Sequence, residues 1–522
     1  MTRSYQRVKL LATSMFFAVS GLMASAVQAQ TQAPTAAATP QHGGTLILAE
    51  NADIKGFDPA VYPDFSTVRV LGLVYETLVN VDPNLKVVPG LAESWSFSSD
   101  GLQLTLNLRK GVKFQNGDPF TSADVKYNIQ RIQDPATKAL VSSNFASVKS
   151  VDTPDANTVV LTLSTANVSI LTAFADTNAA MVSAKSAGVD LTDPKNANGT
   201  GPFKVQSWQP NQKLELVANP SYWDTGLPYL DGVEIRVIPD ESSILAALRA
   251  GQINFGILGD PTVATLIKPD SGLTVIRTAA LAYHALQLNS THKPFDNQKV
   301  RQALSCAIDR QQVIDTAALG EGQVTGPNTV PLYRTPLDQL ACYKPDLAKA
   351  KQLLSDAGLS SGFTFTIIAA TDEPVTAVNE AQNIADQLGK IGVTVKIEKM
   401  DINAYVKRWL AADFDAAIAL NGGRADPHLM FVRYWTSTGN LNKVAAYSDS
   451  TLDTDIANGL KETDPQKRIG IYQDFEKHLV DESPWIWIYS GYQYRAYQPK
   501  VNGYAQSPLD TIFYLRQTWL SK

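Results

Sequence analysis

The segment Leu102-Gln-Leu-Thr-Leu-Asn-Leu-Arg109 alternates apolar and polar residues without a fault. A period of two commits a stretch of chain to a strand with one face on a core and the other in water. The turn signal Ser99-Asp100-Gly101 leads into it, and Thr121-Ser122-Ala123-Asp124 soon opens a run with Val125, Ile129 and Ile132 at helical spacing. Ser or Thr is a suitable N-cap there. Residues 378–388 repeat apolar positions at three and four, and Gly392 then precedes the alternating strand Val393-Thr-Val-Lys-Ile397. Glycine just past a helix suits a left-handed C-terminal residue. A further helix begins at Asp464-Pro465 and sets Ile469, Tyr472, Phe475 and Leu479 on one side, with Asp as cap and Pro in the first turn. Strands and helices interleave along the whole chain without a short-period repeat, so the fold class reads as α/β (mixed α+β).

The first 29 residues follow another logic. Arg3, Arg7 and Lys9 precede an apolar run over 10–27 that ends in Val27-Gln28-Ala29, the pattern of a secretory signal peptide cut after Ala29. The run is interrupted by Thr13, Ser14, Ser20, Gly21 and Ser25, which argues against a membrane anchor. No cysteine lies near the cut, so the expected mature protein is free in an envelope compartment, the periplasm. Residues 30–42 read as a disordered Ala/Thr/Pro leader, with order expected from about Gly43. Losing three positive charges moves the formal net charge from -5 to -8, which offers nothing to nucleic acid or an anionic membrane. Roughly 480 residues then remain, enough for two or three packed units.

Two cysteines occur, Cys306 and Cys342. A disulfide and a buried free thiol both stay open on spacing alone. No zinc-protease H-E-x-x-H, phosphate loop or C-x-x-C is present, so any ATP-driven step belongs to another subunit. Gly199-Thr-Gly201 runs into Pro202 and fails as a dinucleotide fingerprint. The five histidines, at 42, 284, 292, 428 and 478, show no metal-ligand spacing. Neither a cofactor nor a resident metal is expected.

Gly90-Leu-Ala-Glu-Ser-Trp95, Asp100-Gly101, Leu108-Arg-Lys-Gly-Val-Lys-Phe114, Asn116-Gly-Asp-Pro-Phe120 and Thr121-Ser-Ala-Asp-Val125 form one dense constellation. It continues in Gly199-Thr-Gly-Pro-Phe203, Asn219-Pro-Ser-Tyr-Trp223, Leu230-Asp-Gly-Val-Glu-Ile235, Phe295-Asp-Asn-Gln-Lys-Val-Arg-Gln-Ala-Leu304, Ala307-Ile-Asp-Arg310 and Asp413-Phe-Asp-Ala-Ala417. These stretches together resemble the large extracytoplasmic solute-binding proteins of the peptide/nickel class, receptors of ABC importers for di- and oligopeptides. Most of the residues suit scaffold: Trp95 and Trp223 fill core, and Gly101, Gly117 and Gly232 suit turns.

The resemblance implies a two-lobed binding protein with an inserted domain and a hinge. Residues 43–78, 186–288 and 490–522 would form lobe I, 79–185 the inserted domain and 289–489 lobe II. It implies capture of a short peptide or peptide-like molecule by closure, without catalysis, in a monomer that delivers its ligand to an inner-membrane ABC permease and its ATPase subunits. On one wall it points to the turn Leu420-Asn-Gly-Gly-Arg-Ala-Asp-Pro427, with Asn421, Gly422, Arg424 and Asp426 as ligand residues. Arg424 and Asp426 supply one charge of each sign for a zwitterion. The opposing wall is expected to hold Tyr62 and Phe65, with Tyr489 from the aromatic run near Trp487. This turn departs from many peptide-binding relatives, which carry a tryptophan at the position of Asn421 and in some cases an ammonium-binding acid at that of Gly423. The stretch Thr371-Asp-Glu-Pro374 is acidic where some dipeptide binders use an arginine. The alternatives are a nickel-chelate receptor, with His428 beside the turn, and a periplasmic peptide hydrolase.

Overall fold

The computed structural model describes residues 39–62, 64–267 and 272–522. The expected signal segment 1–29 and the leader up to residue 38 lie outside the described residues. The Gly43 N–H already donates to the Tyr229 carbonyl at 2.8 Å, and the first strand, Thr45–Glu50, begins two residues later.

Gln103–Leu108 is a strand whose Leu104, Leu106 and Leu108 are buried while Gln103 and Asn107 face water. It sits inside a four-stranded antiparallel sheet ordered Ala92–Phe97, Gln103–Leu108, Thr158–Leu163, Val148–Asp155. The helix Ser122–Gln133 covers this sheet through Val125, Ile129 and Ile132, and these share one core with Val159 and Leu161. Its first turn is closed by Asp124, whose Oδ2 accepts the Thr121 N–H at 2.8 Å. A helix start of this kind satisfies donors that would otherwise be orphaned.

The rest of the chain is organised by one twelve-stranded mixed sheet. From one edge, Thr394–Met400 and Thr364–Ala370 run parallel, followed by Ala416–Asn421 and Tyr283–Leu288. From the other edge come Phe203–Gln209, Lys213–Ala218, Gly232–Val237, Thr45–Glu50 and Phe255–Leu258. The 13-residue strand Trp485–Tyr497 joins the two runs. Its first half pairs with Tyr283–Leu288 and Gly322–Val324, and its second half with Phe255–Leu258 and Thr274–Ala279.

Separate apolar cores sit on the two ends of this ribbon. One is built on Leu48, Phe57, Val70, Val233 and Phe255. The other is built on Leu286, Val300, Leu304, Ile367, Ile384 and Ile418. Helices Gln298–Ala307 and Ala377–Gly389 cover the second, and Gly392 takes the left-handed conformation (φ 85°) before the strand Thr394–Met400. The mixed α/β reading of the sequence holds. Cys306 and Cys342 are joined in a disulfide that ties the end of Gln298–Ala307 to a loop 36 residues away, which resolves the alternative the spacing left open.

The helix Pro465–Glu482 starts where Asp464 and Pro465 indicated, with Asp464 Oδ1 accepting from the Gln466 and Lys467 N–H groups. Its inward face carries Tyr472, Phe475 and Leu479 as expected, but also Arg468 and Glu476, while Ile469 is only half-buried. Periodicity finds an apolar stripe; it is blind to a charge buried beside it with its partners.

Candidate functional site

The strand Ala416–Asn421 ends in the turn that the sequence singled out, and the helix Pro427–Trp435 begins immediately after it. Asp426 is the N-cap: its Oδ1 accepts the His428 N–H at 2.9 Å, and Pro427 occupies the first helical position. Gly423 is required by close approach, because a Cβ there would collide with the Leu281 carbonyl. At the strand end, Asn421 is buried, and its Oδ1 accepts from the Tyr434 hydroxyl at 3.1 Å and from Gln287 Nε2 at 3.3 Å.

Gly423, Arg424 and Ala425 form one wall of a cavity of about 160 Å³. Three other stretches far apart in the chain complete it: the helix Phe65–Val74 with residues 75–81, the segment 172–178, and the C-terminal segment 509–514. Phe65, Val68, Leu429 and Phe513 give it an apolar side. Arg424 is the only basic side chain in its lining among the described residues, facing the carboxylates Glu76, Asp176 and Asp510.

Those three carboxylates differ in what holds them. Glu76 accepts from the Tyr222 hydroxyl (2.7 Å), Trp223 Nε1 (2.8 Å) and the Thr200 hydroxyl (2.8 Å), and burial raises its pKa against these three bonds. Asp510, in a left-handed conformation (φ 60°), is shared between two guanidinium groups, Arg69 Nη1 at 2.6 Å and Arg495 Nη2. Arg69 is completed by Glu50, which it reaches through Nε at 3.0 Å and Nη2 at 2.7 Å. Asp176 spends Oδ1 on the Asn178 N–H at 3.0 Å, whereas its Oδ2 lies 3.7 Å from Arg424 Nε. The Arg424 side chain is 34% exposed, and its Nη1 donates to the neighbouring Gly423 carbonyl, 3.2 Å away.

The turn's second charge points elsewhere. Asp426 Oδ1 also accepts from Ser169 Oγ and from Arg468 Nη2, each at 2.9 Å, and both side chains of the ion pair are 7% exposed. Arg468 is satisfied in turn by the Gly459 carbonyl (2.8 Å) and the Tyr333 hydroxyl (2.6 Å). Burial alone would raise the Asp426 carboxyl, but the Arg468 guanidinium overrides it and holds that carboxyl below the ordinary carboxylate range. Next to it, burial pulls the His428 imidazole down to about 4, which leaves it neutral at physiological pH.

Of the residues expected at the ligand walls, Arg424 and Phe65 line this cavity. Gly422 and Asn421 adjoin it at the strand end without lining it, Gly422 exposed and Asn421 buried. Tyr62 is half-buried against Gly56, where a Cβ would strike its ring, and its carbonyl accepts from Asn178 Nδ2 at 3.0 Å. Asp426 is withdrawn into its bonds with Ser169 and Arg468, so the zwitterion-binding pair expected from one turn does not form within that turn. Tyr489 and Trp487 lie in the sheet core. Tyr489 stacks on His284 with centroids 4.1 Å apart, and its hydroxyl donates to Glu380 Oε1 at 2.9 Å. A central strand buries alternate aromatics on both faces, and that fate wins over ligand contact here.

Sequence reasoning missed Asp176, Asp510, Phe513 and Tyr514 in the cavity lining. Asp176-Thr-Asn carried an Asx-turn signal in a loop, but nothing in the chain order announces that this loop meets residue 424. His428 lines a different cavity with Arg433 and the Ser143–Ser147 loop. Among the described residues no group of three His, Cys, Asp or Glu side chains is placed to hold a metal ion. The string Gly358-Leu-Ser-Ser-Gly362 has nucleophile-elbow spacing. However, Ser360 sits exposed in a loop between the helix Leu347–Asp356 and the strand Thr364–Ala370, and its Oγ donates to Ser355 Oγ at 3.1 Å. An elbow needs the opposite order, strand then helix.

Known proteins align along this whole architecture. The family model for bacterial extracellular solute-binding proteins, family 5 (middle region) matches residues 86–443. The glutathione-binding protein GsiB of Pectobacterium atrosepticum is 29% identical over 483 residues, 90% of this chain and 92% of its own. The binding protein AgaA of A. tumefaciens R10, solved with agropinic acid, superposes with a TM-score of 0.80 at 27% identity, covering 92% of this chain and 99% of its own. The periplasmic binding protein DppA of Helicobacter pylori, solved with the peptide STSA, gives 0.78 at 27% identity over 92% and 99%. Among the described residues no helix is long and apolar enough to cross a membrane. The chain belongs to family 5 of the bacterial extracellular solute-binding proteins.

Proposed function

We propose that this protein is the periplasmic receptor of an ABC importer, which captures a short peptide or peptide-like molecule between two lobes and passes it unchanged to an inner-membrane permease and its ATPase. The observation that carries this reading is the cavity itself: four stretches distant in sequence converge on it, and Arg424 and Asp176 lie beside each other in its lining. A site assembled from separate segments exists only when those segments are docked, so ligand and docking stabilise one another. The division into lobe I (43–78, 186–288, 490–522), an inserted domain (79–185) and lobe II (289–489) is supported by the two cores at either end of the long strand Trp485–Tyr497. That strand and Tyr283–Leu288 are the crossings about which a hinge would work.

The ligands named for relatives, glutathione, a peptide and agropinic acid, support this class. The transport partners follow from the same membership, since a receptor of this kind without a motor delivers nothing. Native mass spectrometry of the protein purified from its own periplasm tests the reading. We expect a bound species of a few hundred daltons, released intact on denaturation. Recovery of cleavage products from an added peptide would instead make the protein a hydrolase.

A further inference from the structure

Resting on that reading, we propose that Asp176 and Arg424 hold an α-amino-acid head group, an ammonium and a carboxylate borne on one carbon. The ligand is then an amino acid elaborated through its side chain, such as a γ-glutamyl compound, and not a dipeptide gripped by its two ends.

The choice of residues follows from what the cavity leaves available. Asp510 is already neutralised by two guanidinium groups, and Glu76 already accepts from three donors. Among the described residues Asp176 Oδ2 has only Arg424 as a partner, at 3.7 Å, longer than a charge-assisted hydrogen bond. Both side chains line the cavity, and no other basic group does so among the described residues.

The spacing then selects the ligand. In an α-amino acid the ammonium nitrogen and the nearer carboxylate oxygen are about 3 Å apart, as bond lengths dictate. A carboxylate on Arg424 and an ammonium on Asp176 would close a ring of four alternating charges, each beside two of opposite sign. An extended dipeptide separates its termini by roughly 6–7 Å, too far for its own ammonium and carboxylate to lie beside each other and close such a ring. Phe65, Leu429 and Phe513 remain for the body of the ligand.

Calorimetric titration of the full-length mature protein tests this with three probes: glutathione, which carries such a head, its N-acetylated form, which lacks the ammonium, and the ordinary dipeptide cysteinylglycine. In the wild type, acetylation is expected to weaken binding at least tenfold, and the dipeptide to bind at least tenfold more weakly than glutathione. Asp176→Asn keeps the cap to Asn178 and should cost glutathione the same tenfold while leaving the acetylated form unaffected. Arg424→Gln should weaken glutathione and its acetylated form alike. The inference is overturned if the dipeptide matches glutathione, if the losses from acetylation and Asp176→Asn multiply independently, or if none of the probes binds. A protein that still carries a native small molecule by mass spectrometry while failing these titrations keeps the receptor function and loses this ligand assignment.

Discussion

Arg424 and Asp426 stand two residues apart on one turn, yet they live in different regions of the molecule. Arg424 is about one-third exposed on a cavity wall, and among the described residues Asp176 is the one carboxylate within 4 Å of it. Asp426 is buried with Ser169, the His428 N–H and Arg468 on the same oxygen. A charge on the cavity wall is cheap to keep and free to meet a solute, whereas a buried charge must be fully partnered before the fold can tolerate it. The turn therefore divides in two: one end lines the cavity, and the other fastens the helix Pro427–Trp435 to Pro465–Glu482 and to residue 169. Depth and partners separate these roles; residue type does not.

The comparison breaks most visibly at the buried end. Asp426→Ala strands the Arg468 guanidinium and removes the helix cap, and should cost about 3–5 kcal/mol of folding stability in urea denaturation. A loss below about 1 kcal/mol would show that this end is not buried as described. Acid should find the same end. His428 is held near 4 in the fold against an ordinary value of 6.5, so between those values the unfolded chain binds a proton that the folded chain refuses. Stability from this group is full above pH 6.5 and falls as pH drops toward 4, by on the order of 3 kcal/mol. Asp426 acts in the same direction at still lower pH, because its depressed carboxyl loses its stabilising charge as pH falls through the folded value. In denaturation curves collected from pH 7 to 4.5, His428→Asn should flatten the decline; an unchanged slope would locate the acid sensitivity elsewhere.

The same contrast explains what could be read from the chain alone. Leu102–Arg109 and the Asp464 cap were legible because a strand's alternation and a helix's start are local rules. The turn 421–427 was singled out through resemblance, and of its expected site residues Arg424 lines the cavity. Asp426 was drawn into the site because a charged loop residue over a scaffold suggests binding, and only the fold supplies the Ser169 and Arg468 that claim it. Asp176 is 248 positions from Arg424 in the chain. Their meeting is a property of tertiary packing, and no local pattern encodes it. Tyr489 failed for a related reason: its neighbourhood read as a possible aromatic wall, but the long strand places it between His284 and Glu380.

The smallest effect on folding should accompany the clearest effect on function, and it is the most direct measure of the central claim that the cavity at Arg424 holds the solute. In Arg424→Gln, the partly exposed pair with Asp176 is worth no more than about 1 kcal/mol to stability. Its charge-assisted contact to a ligand carboxylate should be worth more, about 2 kcal/mol. Titration of the native ligand, released from the wild type and identified by mass, into wild type and Arg424→Gln should therefore show an affinity loss of at least about tenfold in a variant that unfolds within 1 kcal/mol of wild type. Equal affinities in the two proteins would place the solute elsewhere and contradict the account.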